Sequence, residues 1–263
     1  MRIEVVTLFP QLIRDAIDYG VLARAVERRL VDVGTVDPRQ FADDPHRTVD
    51  DRPYGGGPGM VGTPQPWAAA IEAAHARAVQ LGPPSTAPAA VPKVYLSAQG
   101  RRFEQADAVR LASLPACVLV AGRYEGLDER IIEELIDEEL SLGDFVLSGG
   151  EFAALAVIDA VARLQPGALG DERSSEQESF VAGRLDWPHY TRPVQWRARE
   201  VPQVLQGGHH AQIAQWRLKQ ALGRTWMRRP DLMVKHGLSA QESRLLNEYL
   251  AEREVKEHGK SDR

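Results

Sequence analysis

The segment Leu142-Gly-Asp-Phe-Val-Leu-Ser-Gly-Gly-Glu151 decides how the chain is expected to fold. The apolar run Leu142–Leu147 is typical of a strand, it ends at Gly149 and Gly150, and an amphipathic helix pattern over Phe152–Leu164 follows at once. Glycines at such a turn lack a Cβ and let the backbone approach a ligand, and the start of the helix offers unpaired N–H groups. The pattern is equally compatible with a cofactor pocket and with a tight turn that only connects two packed elements.

Strand and helix patterns alternate along the rest of the chain. The strand patterns lie at Ile3–Phe9, Val31–Val36, Lys93–Ser97 and Ala116–Ala121. Helical patterns separate them, and this alternation is typical of an α/β fold with a parallel sheet. The last strand opens onto Gly122-Arg-Tyr-Glu-Gly126 at its carboxyl end, which is where open α/β sheets bind ligands.

The composition is that of a globular protein without a membrane-spanning segment. The 263 residues are 43% hydrophobic and 26% charged, enough for one large or two ordinary domains with a core. A single cysteine, Cys117, excludes a disulfide framework and fits a reducing compartment. The N-terminus lacks the apolar core of a signal peptide, and no run approaches the ~18 apolar residues of a membrane span. We therefore expect a cytoplasmic protein.

Positive charge is concentrated in one part of the chain. The formal net charge is -5, yet ten Lys or Arg and only three Asp or Glu lie between Arg184 and His236. Four of the five tryptophans also lie from Trp187 onward. Because basic side chains neutralise phosphates and aromatic rings stack on unpaired bases, this part of the chain favours RNA binding, although tryptophans more often build a core.

The acidic segment Leu127–Leu140 leaves two interpretations open. Its carboxylates lie opposite an apolar face in helical projection, which is typical of a solvated helix. The alternative is a magnesium site or a negatively charged binding site for a cationic cofactor. No zinc site is expected, because His209 and His210 are adjacent and point apart, and the chain has one cysteine.

A long loop over Asp43–Met60 is expected to lack regular structure, because proline and glycine dominate its second half, Asp50-Asp-Arg-Pro-Tyr-Gly-Gly-Gly-Pro-Gly-Met60. A loop of this length is more often functional than filler. No Gly-Lys-Ser/Thr follows its glycines, and no strand–G-x-G-x-x-G–helix context surrounds them. ATP and NAD are therefore disfavoured as ligands.

Four motifs together resemble the bacterial tRNA (guanine-N(1)-)-methyltransferase family, TrmD. They are Asp50–Met60, Gly122–Gly126, Gly143–Gly150 and Trp216-Arg-Leu-Lys-Gln220, and the match runs from about Ile3 to Leu250. The resemblance implies an α/β fold of the SPOUT class, whose parallel sheet is threaded near its carboxyl end into a deep trefoil knot. It also implies a knotted cofactor-binding domain over residues 1–166, a flexible linker over 167–186, and a smaller helical tRNA-binding domain over 187–263.

The resemblance implies that the knot binds S-adenosylmethionine in a bent conformation. The matched wall positions, above Gly149 and Gly150, are Tyr95, Leu96 and Ser97; Gly122, Tyr124, Glu125 and Gly126; and Leu142, Gly143, Asp144, Phe145, Val146 and Leu147. Ala98 and Ala153 stand where the family usually has proline, which loosens the walls. The family works as a homodimer with each site shared between subunits, and it is described as needing magnesium.

The chemistry of the family requires a base and a cation. Guanine N1 carries a proton and is a poor nucleophile until that proton leaves. By resemblance, Arg163 is the cation that stabilises charge moving onto O6. The family's base is an aspartate in an Asp-Ser-Phe motif, which reads Glu178-Ser179-Phe180 here, and glutamate is one methylene longer with similar basicity. Asp171 is the alternative base, and Glu176 is a third carboxylate of the linker.

The activity implied by the resemblance is methylation of guanine at position 37 of tRNA, 3′ of the anticodon, to 1-methylguanosine. Four basic residues of the C-terminal part, Arg192, Arg217, Lys219 and Arg224, are expected to contact tRNA phosphates. Two alternatives stay open: a tRNA-binding protein of the same fold with weak or lost catalysis, and a related RNA methyltransferase with a different target atom.

Overall fold

The structure is a computed structural model that describes residues 1–84, 86–170 and 178–261, with side chains as far as residue 255. It contains two compact units, Met1–Glu172 and Arg173–Arg263. Across the described residues, no helix combines the length and the apolar character that crossing a membrane requires. The division into 1–166, 167–186 and 187–263 stays a prediction.

A five-stranded parallel sheet lies at the centre of the first unit. The strands of this unit are β1 (Arg2–Val6), β2 (Asp32–Val36), β3 (Asp50–Asp51), β4 (Val61–Gly62), β5 (Lys93–Arg102), β6 (Ala116–Val120) and β7 (Glu138–Ser141). The sheet has the order β2-β1-β6-β5-β7, whereas β3 and β4 form a separate antiparallel pair. This arrangement confirms the prediction of an α/β fold with a parallel sheet. The loop predicted over Asp43–Met60, in contrast, contains a short strand at Asp50–Asp51, because these two residues pair with Gly62 and Val61.

Helices cover both faces of the sheet. They are α1 (Pro10–Ile17), α2 (Gly20–Glu27), α3 (Pro64–Leu81), α4 (Gln105–Ala112), α5 (Glu129–Leu135) and α6 (Glu151–Ala162). The core on one face contains Trp67 and Ile71 of α3, and the core on the other contains Ile158 and Val161 of α6. Strands β1 and β6 are buried at every position. The sequence of β6 is accordingly apolar throughout, whereas β1 also buries Arg2 and Glu4, which pair with each other.

The strand predicted over Leu142–Leu147 is wrong. The strand that precedes α6 is β7, and residues 142–150 form an irregular segment between them. Phe145 and Val146 are 56% and 95% exposed, whereas an inner strand of a parallel sheet is buried on both faces. The apolar side chains of residues 142–147 therefore line a cavity and do not belong to a strand of the sheet.

The prediction of a helix across the acidic segment Leu127–Leu140 is correct only for the first part of that segment. Helix α5 ends at Leu135, and the chain then enters the sheet as β7. Two carboxylates of β7 have partners on neighbouring elements, since Glu138 accepts from Arg110 (2.6 Å) and Glu139 accepts from Ser97 Oγ (2.5 Å). No group of three or more metal-ligating side chains occurs in the part of the chain that the structure describes.

The second unit is mainly helical in its described residues. Its elements are the hairpin strands β8 (Gln195–Trp196) and β9 (Arg199–Glu200), and the helices α7 (Gln203–Gln206), α8 (His210–Arg228), α9 (Pro230–His236) and α10 (Ala240–Ser261). A small core of Leu222, Met233, Leu245 and Leu246 joins the last three helices. Gly223 permits their close approach, because a Cβ there would overlap the ring of Tyr249.

Candidate active site

A cavity of about 230 Å³ lies in the first unit, where residues that follow β6 and β7 meet the middle of β5. Its lining residues come from three segments, 95–99, 122–126 and 140–150 (without Asp144 and Ser148), together with Ala153 on the first turn of α6. The cavity therefore forms at the carboxyl ends of parallel strands, which is the usual ligand position in open α/β sheets.

Fourteen of the fifteen predicted cofactor residues line this cavity. They are Tyr95, Leu96, Ser97, Gly122, Tyr124, Glu125, Gly126, Leu142, Gly143, Phe145, Val146, Leu147, Gly149 and Gly150. Asp144 does not, because its carboxylate is 92% exposed and pairs with Arg102 at 3.0 Å. Sequence reasoning missed four further lining residues: Gln99, Arg123, Leu140 and Ser141. Of these, Arg123 could have been found, since it lies inside the Gly122–Gly126 motif.

The two glycines that precede α6 are required by close backbone approach. A Cβ on Gly150 would lie 2.8 Å from the Cα of Ala121, and the Gly150 N–H donates to the carbonyl of Gly122 at 2.9 Å. A Cβ on Gly149 would overlap the guanidinium of Arg123. Both glycines are thus explained by packing of the segment against the end of β6.

A buried ion pair beneath the cavity connects three separate segments. Glu151 is fully buried, and its carboxylate accepts from Thr7 Oγ1 and from Arg123 Nε, each at 2.9 Å. Arg123 also donates to the carbonyl of Ser148 (3.2 Å), and its guanidinium lies 4.2 Å from the ring centroid of Phe9. A buried charge is tolerated when it is paired and hydrogen-bonded, so Glu151 fixes the relative positions of β1, the 122–126 segment and α6.

Tyr95 contributes an uncharged phenol to the cavity wall. Burial raises the pKa of Tyr95 to about 12, while a backbone hydrogen bond with Leu127 acts in the opposite direction. A Cβ on Gly122 would lie 2.8 Å from this phenol oxygen. The hydroxyl group therefore stays protonated at neutral pH and packs directly against the glycine that opens the 122–126 segment.

The loop rich in proline and glycine packs on the 122–126 segment. The Glu125 N–H donates to the carbonyl of Met60 at 3.0 Å, and the Gly62 N–H donates to the carbonyl of Gly126 at 2.9 Å. A Cβ on Gly59 would overlap the carboxylate of Glu125. Two motifs that lie more than 60 residues apart in sequence therefore meet at one side of the cavity.

The two predicted catalytic residues lie in different units. Arg163 belongs to the first unit, at the C-terminal end of α6, where its N–H donates to the carbonyl of Asp159. Glu178 belongs to the second unit and lines a cavity of about 310 Å³ together with Asp186, Trp187 and Arg217. Asp171 and Glu176 lie outside the described residues.

The four predicted tRNA contacts differ in how accessible their charges are. Arg192 is exposed and Arg224 is half-buried. Arg217 lies 4.9 Å from the ring centroid of Trp187, and its Nε is buried without a hydrogen-bond partner among the described residues. Lys219 is 15% exposed and pairs with Glu252 at 2.6 Å. Arg192 and Arg224 are consequently the better placed of the four for a polyanion.

The hairpin of β8 and β9 carries a cation–aromatic pair that sequence reasoning missed. The Arg197 guanidinium lies 4.5 Å from the ring centroid of Trp196, and the tryptophan is 59% exposed. Arg197 has a φ of 54°, which is the left-handed conformation that tight hairpin turns require. The signal in the sequence was Gln195-Trp-Arg-Ala-Arg199, a basic segment interleaved with an aromatic residue.

Comparison with known proteins finds relatives over nearly the whole length of the chain. A family model described as tRNA (Guanine-1)-methyltransferase TrmD matches residues 1–235. Three relatives named tRNA (guanine-N(1)-)-methyltransferase are similar over nearly their full length. The protein from Methylococcus capsulatus is 53% identical over 258 residues, which cover 98% of this chain and 99% of the relative. The protein from Halorhodospira halophila is 49% identical over 261 residues (99% and 96%), and that from Sodalis glossinidius is 51% identical over 258 residues (98% and 99%).

Both kinds of match include the Gly122–Gly126 motif and the Ser-Gly-Gly-Glu turn, which contribute residues to the cavity wall, and the loop rich in proline and glycine that packs on the Gly122–Gly126 motif. Identity near one half over the whole length is far above what a shared fold alone produces. The chain therefore belongs to the TrmD family of tRNA (guanine-1)-methyltransferases.

Proposed function

We propose that the chain transfers the methyl group of S-adenosylmethionine to N1 of guanine at position 37 of tRNA, 3′ of the anticodon. Membership of the TrmD family and the names of the relatives support this activity. The observation that carries the proposal is the cavity at the carboxyl ends of β6 and β7, because fourteen of the residues expected at the cofactor line it. The product is 1-methylguanosine, made in the cytoplasm.

The residues of the cavity fit the chemistry of the methyl donor. Phe145, Val146 and Leu147 supply apolar surface suited to an adenine ring, and Gly122 and Gly150 let backbone approach where a Cβ would clash. Bound S-adenosylmethionine supplies an electrophilic methyl group on a positively charged sulfur. Glu125 lines the same cavity with a carboxylate that is complementary to this charge.

The catalytic roles follow from the chemistry of guanine. Glu178 would take the proton from N1, so that the nitrogen lone pair could form a bond to the methyl carbon while the carbon–sulfur bond of the donor breaks and S-adenosylhomocysteine leaves. Arg163 stabilises the negative charge that develops on O6 as the proton leaves. The buried Glu151–Arg123 pair keeps the cavity wall in place while the base and the methyl group are brought together.

The deep trefoil knot belongs to this proposal. Two contacts that support it join the segment after β7 to the segment after β6: the antiparallel bridge between Arg123 and Gly149, and the hydrogen bond from Gly150 N–H to the carbonyl of Gly122. The later segment thus lies directly against the earlier one, as it must where the chain is threaded through a loop.

A homodimer that shares its sites between subunits also belongs to the proposal. Large apolar side chains of the cavity lining are exposed, namely Tyr124, Phe145 and Val146. Phe9, whose ring lies against Arg123, and Phe152, which precedes the lining residue Ala153, are exposed as well. Contiguous exposed apolar surface is typical of an interaction site. The proposal also includes a magnesium ion that is held mostly by water and tRNA phosphates, because Mg²⁺ keeps several waters and needs few protein carboxylates.

The test of the activity is analysis of the modified nucleoside. The purified chain, S-adenosylmethionine and a tRNA transcript with guanine 3′ of the anticodon should yield 1-methylguanosine after digestion and mass analysis. A matched transcript with adenine at that position should stay unmodified. Methylation of a ribose 2′-oxygen would indicate a related RNA methyltransferase, and intact tRNA binding without any product would indicate a binding protein.

Replacing Gly150 by alanine is expected to weaken binding of the methyl donor by at least about tenfold. The new Cβ would lie 2.8 Å from the Cα of Ala121, so the backbone beneath the cavity must shift. Equilibrium dialysis with S-adenosylhomocysteine measures the change. Gly208→Ala is the matched control, because a Cβ there meets nothing within 4 Å. Equal affinity of Gly150→Ala and the wild type would show that this wall does not shape the site.

Neutralising Arg192 is expected to reduce the salt dependence of tRNA binding by about one unit of slope. The side chain is exposed, whereas Lys219 is already paired with Glu252 at 2.6 Å. Lys219→Ala should therefore change the slope less than Arg192→Ala. Binding is measured by filter retention over a series of salt concentrations, and identical slopes for wild type and Arg192→Ala would remove Arg192 from the tRNA interface.

A further inference from the structure

Thr225 occupies an unusual position for a polar residue in the second unit. It lies in α8 and is fully buried. Its hydroxyl donates to the carbonyl of Ala221 at 2.7 Å, one turn earlier in the helix, and accepts from the N–H of Leu185 at 2.9 Å. The helix is thereby joined to residues 178–187, the segment that begins with Glu178 and is called the Glu178 loop below.

The Glu178 loop is closed by its own hydrogen bonds. The Asp186 N–H donates to Ser179 Oγ at 3.0 Å, and the Phe180 N–H donates to the carbonyl of Arg184 at 2.8 Å. The Val181 N–H donates to the carbonyl of Glu178 at 3.4 Å. Because both ends of the loop are tied together, a shift of Leu185 must be accompanied by a shift of Ser179 and its neighbour.

The loop also contacts two other helices of the unit. Arg184 pairs with Glu242 of α10 at 2.6 Å, and Gly183 packs so closely on His236 of α9 that a Cβ would overlap the imidazole ring. The salt bridge is partly solvated and weakly directional, and the glycine contact is steric. The hydroxyl of Thr225, in contrast, makes a directional hydrogen bond with one particular backbone N–H of the loop, that of Leu185, and so fixes which part of the loop faces α8.

We infer that Thr225 is a positioning residue for methyl transfer: it holds the Glu178 loop in register on α8 and thereby keeps the carboxylate of Glu178 where it can accept the guanine proton. The inference rests on the proposed function, in which Glu178 is the base. Displacement of a catalytic group by ~1 Å costs on the order of a hundredfold in rate. Loss of the Thr225–Leu185 hydrogen bond leaves the partly buried N–H of Leu185 without its acceptor, which favours such a displacement.

The test compares Thr225→Val with Thr225→Ser. Valine keeps the shape of threonine and removes the hydroxyl, whereas serine keeps the hydroxyl. We expect Thr225→Val to lower the single-turnover rate of methylation by about ten- to a hundredfold, with donor affinity unchanged and tRNA affinity within about twofold. Thr225→Ser should restore most of the rate. Full activity of Thr225→Val, or failure of Thr225→Ser to recover it, would overturn the inference.

A second variant separates positioning from a general loss of stability. Leu246→Val removes a methylene from the core of the same unit, where Leu246 is buried, and should lower the melting temperature because the smaller side chain leaves a cavity. If it slows methylation as much as Thr225→Val does at a similar melting temperature, Thr225 has only a structural role. The expected result is a normal rate for Leu246→Val.

Hydrogen exchange makes the inference testable apart from the activity. Exchange at residues 179–187 should be faster in Thr225→Val than in the wild type and normal in Thr225→Ser. Unchanged exchange in Thr225→Val would contradict the inference even if the wild type methylates tRNA. Conversely, a wild type that yields no 1-methylguanosine would refute the proposed function, whatever the exchange result.

Discussion

Glu178→Gln is expected to slow methyl transfer to tRNA by about a hundredfold to ten-thousandfold, the usual contribution of a general base. Glutamine has the size of glutamate but cannot accept the N1 proton. The substitution lies in the second unit, where Glu178 lines a cavity with Trp187 and Arg217, so binding of S-adenosylmethionine should not change. Single-turnover methylation under saturating donor and tRNA measures the effect.

Two controls sharpen this result. Glu178→Asp restores the family's residue and should keep substantial activity, because the carboxylate is preserved and shortened by one methylene. Glu248→Gln removes an exposed carboxylate elsewhere in the same unit and should leave the rate unchanged. If Glu178→Gln methylates tRNA as fast as the wild type, Glu178 is not the base, and Asp171 becomes the residue to substitute.

Glu151→Ala is expected to destabilise the first unit by about 3–5 kcal/mol, as removal of one partner from a buried ion pair does. The guanidinium of Arg123 and the hydroxyl of Thr7 would lose the acceptor that each now reaches at 2.9 Å. Binding of S-adenosylmethionine should weaken as well, because Arg123 lines the cavity and is oriented by Glu151. Thermal unfolding and donor titration measure the two effects.

Glu134→Ala provides the comparison, since Glu134 is an exposed carboxylate on α5. Substitution of such a residue usually changes stability by no more than about 0.5 kcal/mol. An equally small effect of Glu151→Ala on both stability and donor affinity would mean that the buried pair does not hold the cavity wall.

The sheet could be predicted because burial on both faces leaves a clear sequence pattern. Strand β6 is a continuous apolar run, and β1 is apolar except for Arg2 and Glu4, which pair with each other; both strands are buried at all five positions. The segment 142–147 has a similar composition, yet its side chains surround a cavity instead of filling a layer. The hydrophobicity of a segment indicates that its side chains avoid water, but it does not indicate whether a neighbouring layer or a bound ligand covers them.

The candidate site could be predicted as far as its residues are local in sequence. The motifs identify fourteen lining residues of the cavity. Contacts between residues far apart in the chain could not be predicted from the sequence. Thr7 and Glu151 are 144 residues apart, and Lys219 and Glu252 are 33 residues apart. The first contact makes Glu151 essential to the cavity wall, and the second makes Lys219 a poorer phosphate ligand than its sequence neighbourhood indicates.

The measurement that tests the central claim most directly is a calorimetric titration of the wild type with S-adenosylmethionine and with S-adenosylhomocysteine. If the cavity between the 122–126 and 140–150 segments holds the methyl donor, both compounds will bind saturably and will compete with each other. Absence of binding heat and of competition for both compounds, in protein that is folded by circular dichroism, would contradict the account.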